Sequence, residues 1–360
     1  MTPTLPNITR ELYYPKIGSY TNLKFRESTL PSELNPFDVL VKIHAVSLQA
    51  CRVPQKFRDL LISRGTYVLP TPDYLVPGSD MAGEILAVGN QVTQWKVGDR
   101  VCSNFSTKHI YGDITHASRL SALGGSIDGV LTQYKVFHEI ALVAIPEHLS
   151  YEEASTLPCA GLTAYSALNG PIPVKGGDTI LVQGTGGVSF FALQLAVAIG
   201  ANVILTSSSD DKLALGKKYG VKHTINYKKT PDWEKEVMKI TGGRGVDHTI
   251  EVGGPGTFGK SLEATRLGGW IHAIGVLDPQ EDTNLTVTSI IIGAIAKGLS
   301  IRGIQVGSVE LFKEMNRLIA SCPDVTRPVV DKVFSFEDTI KAYEYLESQT
   351  HVGKVVIKIA

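Results

Sequence analysis

Several features are scarce in this sequence of 360 residues, and each shortage excludes a class of protein. Its cysteines are few and scattered, at Cys51, Cys102, Cys159 and Cys322, which excludes a disulfide framework and predicts a reducing, cytoplasmic setting. Basic and acidic side chains balance at 35 each, so no excess charge attracts nucleic acid or an anionic membrane. The apolar run at 290–296 is too short to cross a bilayer. These shortages predict a protein that binds neither nucleic acid nor membrane.

Apolar residues, by contrast, make up 43% of the chain, and a chain of this length usually forms more than one hydrophobic core. The first part contains short strand-like runs separated by turn residues, such as VLVKIHAVSL (39–48), AGEILAVG (82–89), DRVC (99–102), TQYKVF (132–137) and ALVAIP (141–146). From residue 178 onward, strand-like and helix-like segments alternate, which is typical of a parallel sheet with helices on both faces. The fold class predicted is therefore α/β, with a β-rich domain and a doubly wound parallel sheet.

A glycine-rich junction follows the first strand of the alternating region. The stretch LVQGTGGVS, at 181–189, lies between a buried-strand pattern and an apolar helix pattern. Glycines at such a junction permit a tight turn and let a diphosphate approach the free N–H groups of the helix. Ser189 stands where the dinucleotide fingerprint has its third glycine. We predict that the junction binds a dinucleotide through Gly184, Thr185, Gly186, Gly187 and Val188.

The end of the next strand indicates which dinucleotide is bound. NAD-binding chains usually carry an acidic residue there for the ribose hydroxyl, whereas this chain reads NVILTSSSDDK. The hydroxyls of Ser207 and Ser208 and the ammonium of Lys212 suit a 2′-phosphate, so NADP(H) is predicted. Two alternatives stay open: NAD(H) held through Asp210 or Asp211, or a serine that caps the next helix beside a solvated lysine.

These patterns, taken together with others along most of the chain, resemble the medium-chain dehydrogenase/reductase superfamily. The resemblance is greatest to its zinc-independent, quinone oxidoreductase-like and alcohol dehydrogenase-like branch. The matching stretches are AVSL (45–48), VPGSDMAGEILAVG (76–89), WKVGDRV (95–101), LPCAGLTAYSAL (157–168), the glycine junction, TGGRGVDHTIEVGG (241–254) and HVGKVVI (351–357).

The resemblance implies a GroES-like catalytic domain at 1–157 and 325–360, a Rossmann domain at 158–324, and a homodimer that pairs the edge near 298–307. It implies a substrate cleft between the domains that takes a small molecule. It also places further residues at the coenzyme, namely Thr163, Tyr227, Gly253, Gly275 and Lys354. Thr163 and Lys354 are expected near the phosphates or the nicotinamide, and Tyr227 against the adenosine end.

The zinc ligands of metal-dependent relatives are largely missing. Their Gly-His-Glu motif reads Gly78, Ser79 and Asp80 here, so the histidine is absent. Cys159 matches one ligand position, and Cys51 could imitate another. Because a serine hydroxyl is a poor replacement for imidazole, we predict that the chain binds no zinc. A zinc site built from the two thiols and Asp80 is the alternative.

One stretch departs from the pattern of the relatives. ACRVPQK, residues 50–56, appears inserted between Gln49 and Phe57. It is interpreted either as a loop at the rim of the cleft or as a retained piece of intron, which would make Cys51 an artefact.

Without a metal, the reaction favoured is reduction of a conjugated carbonyl, because hydride transfer to an enone or quinone spreads the negative charge over several atoms. Candidate catalytic residues are Tyr67, Ser47 and Asp59, the last beside Arg58. Tyr67 is the candidate proton donor, with a cleft-lining aromatic as the alternative, and Asp59 is expected to order its loop. The prediction is an NADPH-dependent, zinc-independent reductase of enones, quinones or simple carbonyls. The alternatives are an NADP-dependent alcohol dehydrogenase and a nucleotide-binding protein without turnover.

Overall fold

The computed structural model describes residues 6–49, 58–275 and 285–360. Within these ranges the strands form a two-stranded ribbon, a seven-stranded sheet and a six-stranded sheet. The strands are β1 (Ile8–Tyr13), β2 (Lys24–Thr29), β3 (Asp38–Ser47), β4 (Asp80–Val88), β5 (Arg100–Ser103), β6 (Tyr134–His138), β7 (Leu142–Ala144), β8 (Thr179–Gln183), β9 (Asn202–Ser207), β10 (His223–Asn226), β11 (Val246–Glu251), β12 (Thr265–Ala273), β13 (Ser300–Gly303), β14 (Val330–Ser335) and β15 (Lys354–Lys358).

Helices pack mainly around the second sheet and between the two sheets. They are α1 (Arg58–Ser63), α2 (His116–Arg119), α3 (Tyr151–Ala154), α4 (Leu162–Leu168), α5 (Gly187–Ile199), α6 (Asp210–Lys218), α7 (Trp233–Ile240), α8 (Pro255–Ala264), α9 (Val287–Lys297), α10 (Val309–Ser321), α11 (Pro323–Thr326) and α12 (Thr339–Ser348). A π-helical turn, Leu157–Gly161, leads directly into α4, and short 3₁₀ turns cover Tyr20–Asn22 and Glu139–Ala141.

The seven-stranded sheet is built from both ends of the chain. Its strand order is β14-β15-β3-β4-β5-β7, and β6 pairs with β3. The long central strand β3 is antiparallel to β4, β6 and β15. Apolar side chains of β3 and β4, including Val41, Ile43 and Ile85, are fully buried in the core of this domain. The pairing of β3 with β15 therefore joins segments more than 300 residues apart.

The six-stranded sheet is parallel, with the order β10-β9-β8-β11-β12-β13. The direction of the strand order reverses between the neighbouring strands β8 and β11. Open α/β sheets bind ligands at such a point, at the carboxyl ends of their strands. Strands β8, β9 and β11 are buried almost throughout, as expected when helices cover both faces. The predicted fold class is confirmed, whereas the domain bounds 1–157, 325–360 and 158–324 stay a prediction.

One boundary differs from the sequence pattern. The pattern TFGKSLEATRLG, at 257–268, predicts a helix followed by a strand from Trp270, whereas α8 ends at Ala264 and β12 begins at Thr265. The Thr265 hydroxyl hydrogen bonds to the Thr249 hydroxyl across the sheet and donates to the carbonyl of Ser261. These bonds satisfy a buried polar side chain at the start of a strand, an interaction that hydrophobic periodicity does not reveal.

A pair of histidines is buried between β11 and β12. The Nδ1 atom of His248 lies 3.1 Å from Nε2 of His272, and the rings are stacked. His272 is fully buried, and its Nδ1 atom has no hydrogen-bond partner in the described part of the chain. Burial, together with the smaller effects of the neighbouring His248 and Arg302, lowers the pKa of His272 to about 3. The pair is therefore neutral at ordinary pH.

Among the described residues, no helix has both the length and the apolar character needed to cross a membrane.

Candidate functional site

The glycine junction turns from β8 directly into α5. Gly184 has a positive φ of 72°, a conformation that favours glycine, and its N–H donates to the carbonyl of Thr206 on β9 at 2.8 Å. Gly186 precedes α5 with extended backbone, and a Cβ placed on it would meet nothing within 4 Å. The first N–H groups of a helix are unpaired and attract anions. The start of α5 is therefore open to an anion, and the binding of a dinucleotide at this junction stays a prediction.

The serine in place of a third glycine has a structural role. The Ser189 hydroxyl donates to the carbonyl of Gln183 at 2.7 Å, and the residue is buried. Its side chain thus ties the first turn of α5 to the end of β8 while leaving room for close packing. This explains how the junction keeps its shape without the glycine.

Beside the junction lies a cavity of about 480 Å³, here called the outer cavity. It opens at the carboxyl ends of β8, β9 and β11. Its lining includes Gly184, Thr206, Tyr227, Gly253 and Lys260. Tyr227 and Gly253 were predicted to face the coenzyme, and the structure brings both to the same cavity as the glycine junction.

The serines after β9 and Lys212 were predicted to bind the 2′-phosphate of the coenzyme, and several of these side chains have protein partners in the structure. Ser207 is the last residue of β9, and Ser209 caps α6 by accepting the N–H of Lys212. Lys212 is half-buried and donates through Nζ to the carbonyl of His351 at 3.1 Å, so it is not a freely solvated side chain. Asp210 instead binds Asn226 and Lys229 through its carboxylate.

A second cavity, of about 170 Å³, lies between the two sheets and is called the inner cavity. Gly187 and Val188 of the junction line it, together with Thr163 of α4. Ile274 and Ile304, at the ends of β12 and β13, form an apolar part of its wall. A molecule bound along the glycine junction can therefore reach from the outer cavity into the inner one.

Aromatic and cationic groups line the other side of the inner cavity. Tyr67 and Arg58 both reach it. The Arg58 guanidinium lies 5.4 Å from the Tyr67 ring centre and 4.6 Å from that of Phe105. It also donates to the carbonyl of Leu123 at 2.7 Å. Tyr67 thus lines the inner cavity beside a guanidinium, and its role as proton donor stays a prediction.

A buried hydrogen-bond network closes the inner end of this cavity. The carboxylate of Asp80 accepts from the Ser79 hydroxyl at 2.5 Å, from the Cys159 backbone N–H at 2.8 Å and from the Gln49 side-chain amide. The amide oxygen of Gln49 in turn accepts from Nζ of Lys354 at 3.0 Å. Burial raises the pKa of Asp80 to about 7, while the nearby Lys354 ammonium opposes this rise.

Asp59 and Ser47 have structural positions. Asp59 is buried, accepts the backbone N–H of Gln49 at 2.8 Å and contacts Arg58, so it connects two residues of the cavity wall. Ser47 is fully buried, and its hydroxyl faces the carbonyl of Val355 at 3.5 Å, within the β3–β15 pairing. Ser47 was predicted as a hydrogen-bond donor to the substrate. Its hydroxyl lies in a strand pair, and Ser47 is not among the residues that line the inner cavity, so that role stays a prediction.

Among the described residues, the donor set that matches the zinc ligand positions of metal-dependent relatives does not suit zinc. Ser79 uses its hydroxyl to bind Asp80, and the Asp80 carboxylate already accepts three donors. Of the described cysteines, Cys159 is the one whose residue lines the cavity wall. In the part of the chain that the structure describes, no three His, Cys, Asp or Glu side chains could together hold a metal ion, and a catalytic zinc needs three protein ligands. Cys51 and the insertion at 50–56 lie outside the described residues.

Sequence reasoning missed the groups that shape the outer cavity. Glu251 is buried and accepts from the backbone N–H groups of Gly253 and Gly254 and from the Thr257 hydroxyl. Its second oxygen accepts from Gln183 at 2.7 Å. The signal available was a glutamate at the end of a strand otherwise built to be buried. Gly275 follows β12 and packs against the carbonyl of Val252, where a Cβ would come within 2.9 Å.

Two family models match the chain. Residues 35–147 match the alcohol dehydrogenase GroES-like domain, and residues 187–321 match the zinc-binding dehydrogenase family. The first match covers much of the seven-stranded sheet, and the second covers the helix after the glycine junction and most of the parallel sheet.

Individual proteins match over nearly the whole chain. A zinc-type alcohol dehydrogenase-like protein of Schizosaccharomyces pombe is 47% identical, over 97% of this chain and 99% of its own length. An acryloyl-coenzyme A reductase of Metallosphaera sedula is 31% identical, over 89% of this chain and 92% of its own. A crystal structure of a Sinorhizobium meliloti protein is 36% identical, with a TM-score of 0.87, covering 99% of this chain and 100% of that one.

Proposed function

Because the chain belongs to the medium-chain dehydrogenase/reductase superfamily, a family of oxidoreductases, we propose that it is a metal-independent, NADPH-dependent reductase of conjugated carbonyl compounds. The single observation that carries the proposal is the inner cavity: it joins the glycine junction to Tyr67 and ends in a hydrogen-bond network formed, among the described residues, by Asp80, Gln49 and Lys354.

The coenzyme would be held by residues of the chain that already have the required shape. The backbone of Gly184 to Val188 would bind the diphosphate at the start of α5, and Tyr227 would border the adenosine in the outer cavity. Thr163 and Val188 would hold the nicotinamide end in the inner cavity. When bound, reduced nicotinamide supplies a hydride. The apolar wall of Ile274 and Ile304 would keep water away from the reacting atoms.

Conjugated substrates suit a site with few polar groups and no metal. In an isolated ketone the charge that develops on oxygen needs strong local stabilisation, which zinc supplies in many dehydrogenases. In an enone the charge is shared with the α-carbon, so fixed hydrogen-bond donors suffice. Tyr67 is the proposed proton donor toward that carbon. The acryloyl-coenzyme A reductase among the relatives is named for an enoyl substrate, which supports this substrate class.

The function is tested by following NADPH absorbance with three acceptors: an acyclic enone, a quinone and an isolated ketone. We expect turnover with the enone or the quinone at least about tenfold above that with the ketone, because only conjugated acceptors spread the charge. The reverse assay, NADP with primary and secondary alcohols, is the control. Turnover with alcohols alone would favour an alcohol dehydrogenase, and coenzyme binding without any turnover would favour a protein that binds nucleotide as a structural ligand.

The preference for NADPH is proposed to come from Ser207, Ser208 and Lys212, with Asp210 engaged elsewhere. Replacing Lys212 by methionine should raise the Kd for NADPH about tenfold and leave the Kd for NADH within about twofold, because only NADPH carries the 2′-phosphate. Both constants are measured by coenzyme fluorescence. Lys217→Met, on the same helix but at its far end, is the matched control. Equal losses for both coenzymes would contradict the assignment.

A homodimer stays a prediction. In its favour, β13 is an edge strand of the parallel sheet, and α9 beside it exposes Val287, Ile291, Ile292 and Ile295. Exposed apolar patches of this kind are common at protein interfaces. Cytoplasmic residence likewise stays a prediction that rests on the cysteine content.

A further inference from the structure

In this chain, other polar side chains lie at the position that matches the zinc site of metal-dependent relatives. Asp80, Gln49 and Lys354 form a continuous buried chain of hydrogen bonds there, and all three are at most 2% exposed. Such a network is costly to bury unless every member is satisfied. Its presence beside a substrate cavity therefore calls for a functional explanation.

The network fixes the direction in which each group points. Both side-chain oxygens of Asp80 accept hydrogen bonds, and one of these comes from the Gln49 side-chain nitrogen. The Gln49 oxygen must then face the other way, toward Nζ of Lys354. Asp59 holds the backbone of Gln49 in place by accepting its N–H. The amide therefore serves as a rigid link between a carboxylate and an ammonium.

Lys354 is the end of the network that reaches the cavity. Its side chain lines the inner cavity, and its stem passes over the start of α5, where a Cβ on Gly187 would come within 2.7 Å of its Cδ. An ammonium has three N–H groups. Two of them donate to the carbonyl of Leu48 and to the side-chain oxygen of Gln49. Among the described residues, the third N–H has no hydrogen-bond acceptor.

We propose that the Lys354 ammonium takes the place of the metal as the electrophile that binds the substrate's carbonyl oxygen, and that Gln49 and Asp80 are its positioning residues. This inference rests on the proposed function. When the β-carbon of an enone gains a hydride, the C=C electron pair moves to form an enolate, and negative charge reaches the carbonyl oxygen. The third N–H of Lys354 stabilises that charge, and the α-carbon then takes a proton, donated by Tyr67 and restored to it from water.

The test compares Lys354→Met with the unmodified chain at saturating coenzyme and enone. We expect kcat to fall about 100-fold, as when one oxyanion donor is removed, with the coenzyme Kd changed less than about threefold. The deuterium isotope effect with C4-deuterated NADPH should rise, because hydride transfer becomes slower than product release. The loss should be about tenfold smaller for a quinone, whose aromatic product spreads the charge. Lys354→Arg, which keeps a cation, should recover part of the rate.

Two further variants separate positioning from folding. Gln49→Leu keeps the ammonium but removes its link to Asp80, and it should lower kcat about tenfold with the same substrate dependence. Its matched control is Gln194→Leu, a buried glutamine that binds backbone carbonyls away from the cavity. The control for Lys354→Met is Lys297→Met, because Lys297 also donates to two backbone carbonyls. Both controls should keep the unmodified kcat.

The outcomes distinguish the two levels of the argument. If Lys354→Met raises the coenzyme Kd and leaves kcat unchanged at saturation, Lys354 binds the coenzyme phosphates and the inference is wrong, while the proposed function stands. If Lys354→Met does not fold, an unchanged kcat in Gln49→Leu overturns the inference and a substrate-dependent loss supports it. If the unmodified chain reduces no enone or quinone, the proposed function fails and the inference fails with it.

Discussion

Replacing Gly186 by valine is expected to abolish coenzyme binding and to leave the fold intact. The residue has extended backbone, φ −73° and ψ 177°, which valine adopts readily, and its Cβ would meet no protein atom within 4 Å. The valine side chain would instead fill the cradle at the start of α5, where the diphosphate has to approach the N–H groups. We expect the Kd for NADPH to rise at least about 100-fold, or roughly 2.7 kcal/mol, as measured by isothermal titration calorimetry.

A matched glycine distinguishes a blocked cradle from general damage. Gly176 lies before β8, outside both cavities, and a Cβ there would make ordinary contacts of 3.6 Å or longer. Gly176→Val should therefore keep the unmodified Kd. The thermal midpoint of both variants should stay within a few degrees of the original. Calorimetric titration of Gly186→Val that gives the unmodified heat and affinity would show that the diphosphate does not bind at this junction.

The second large effect is expected from the buried histidine pair, which should make the fold less stable in acid. The pKa of His272 is about 3 in the folded chain, whereas in the unfolded chain it returns to the ordinary histidine value of 6.5. As pH falls through this window the unfolded state binds the extra proton, so the free energy of unfolding decreases. At about 1.4 kcal/mol per pKa unit, His272 alone would lower it by about 2 kcal/mol at pH 5 relative to pH 7.5.

Urea denaturation of the unmodified chain and of His272→Gln, at pH 7.5 and at pH 5, measures this contribution. The variant starts less stable, because it loses the stacked ring, but it should lose about 2 kcal/mol less between the two pH values. His223→Gln, at an exposed position on β10, is the control and should behave as the unmodified chain does. An equal loss in His272→Gln and in the unmodified chain would exclude His272 as the source of acid sensitivity.

The fold could be predicted from sequence where local patterns carry the information. The glycine junction, β9 and the alternation that follows them were predicted, because buried parallel strands are short apolar runs with glycine after them. The ribbon of β1 and β2 was not, because its mixed, partly exposed residues show no clear alternation. The start of β12 at Thr265 depends on a hydroxyl pair across the sheet, which no single segment encodes.

The residues of the candidate site likewise divide into those that a local motif predicts and those that it does not. Gly184 and Tyr227 follow from motifs, and both line the outer cavity. Gln49 was not predicted as a site residue, because its role depends on hydrogen bonds with Asp80 and Lys354, which lie 31 and 305 residues away along the chain. Ser47 was chosen because of its motif, yet the β3–β15 pairing turns its hydroxyl into the sheet. Residues whose roles depend on distant partners are the ones that sequence reasoning misplaces.

The pairing of β15 with β3 also constrains how the protein is made. Val356 lies opposite Ser47, and Gly353 bridges to Gly186 beside the coenzyme cradle. During synthesis the amino-terminal sheet must therefore wait, with one side of β3 unpaired, while roughly 300 further residues are translated, about 15 to 60 seconds at ordinary elongation rates. An unpaired strand invites association with other chains. We therefore expect chaperones to bind the nascent chain until β15 is synthesised, pairs with β3 and brings Gly353 against Gly186.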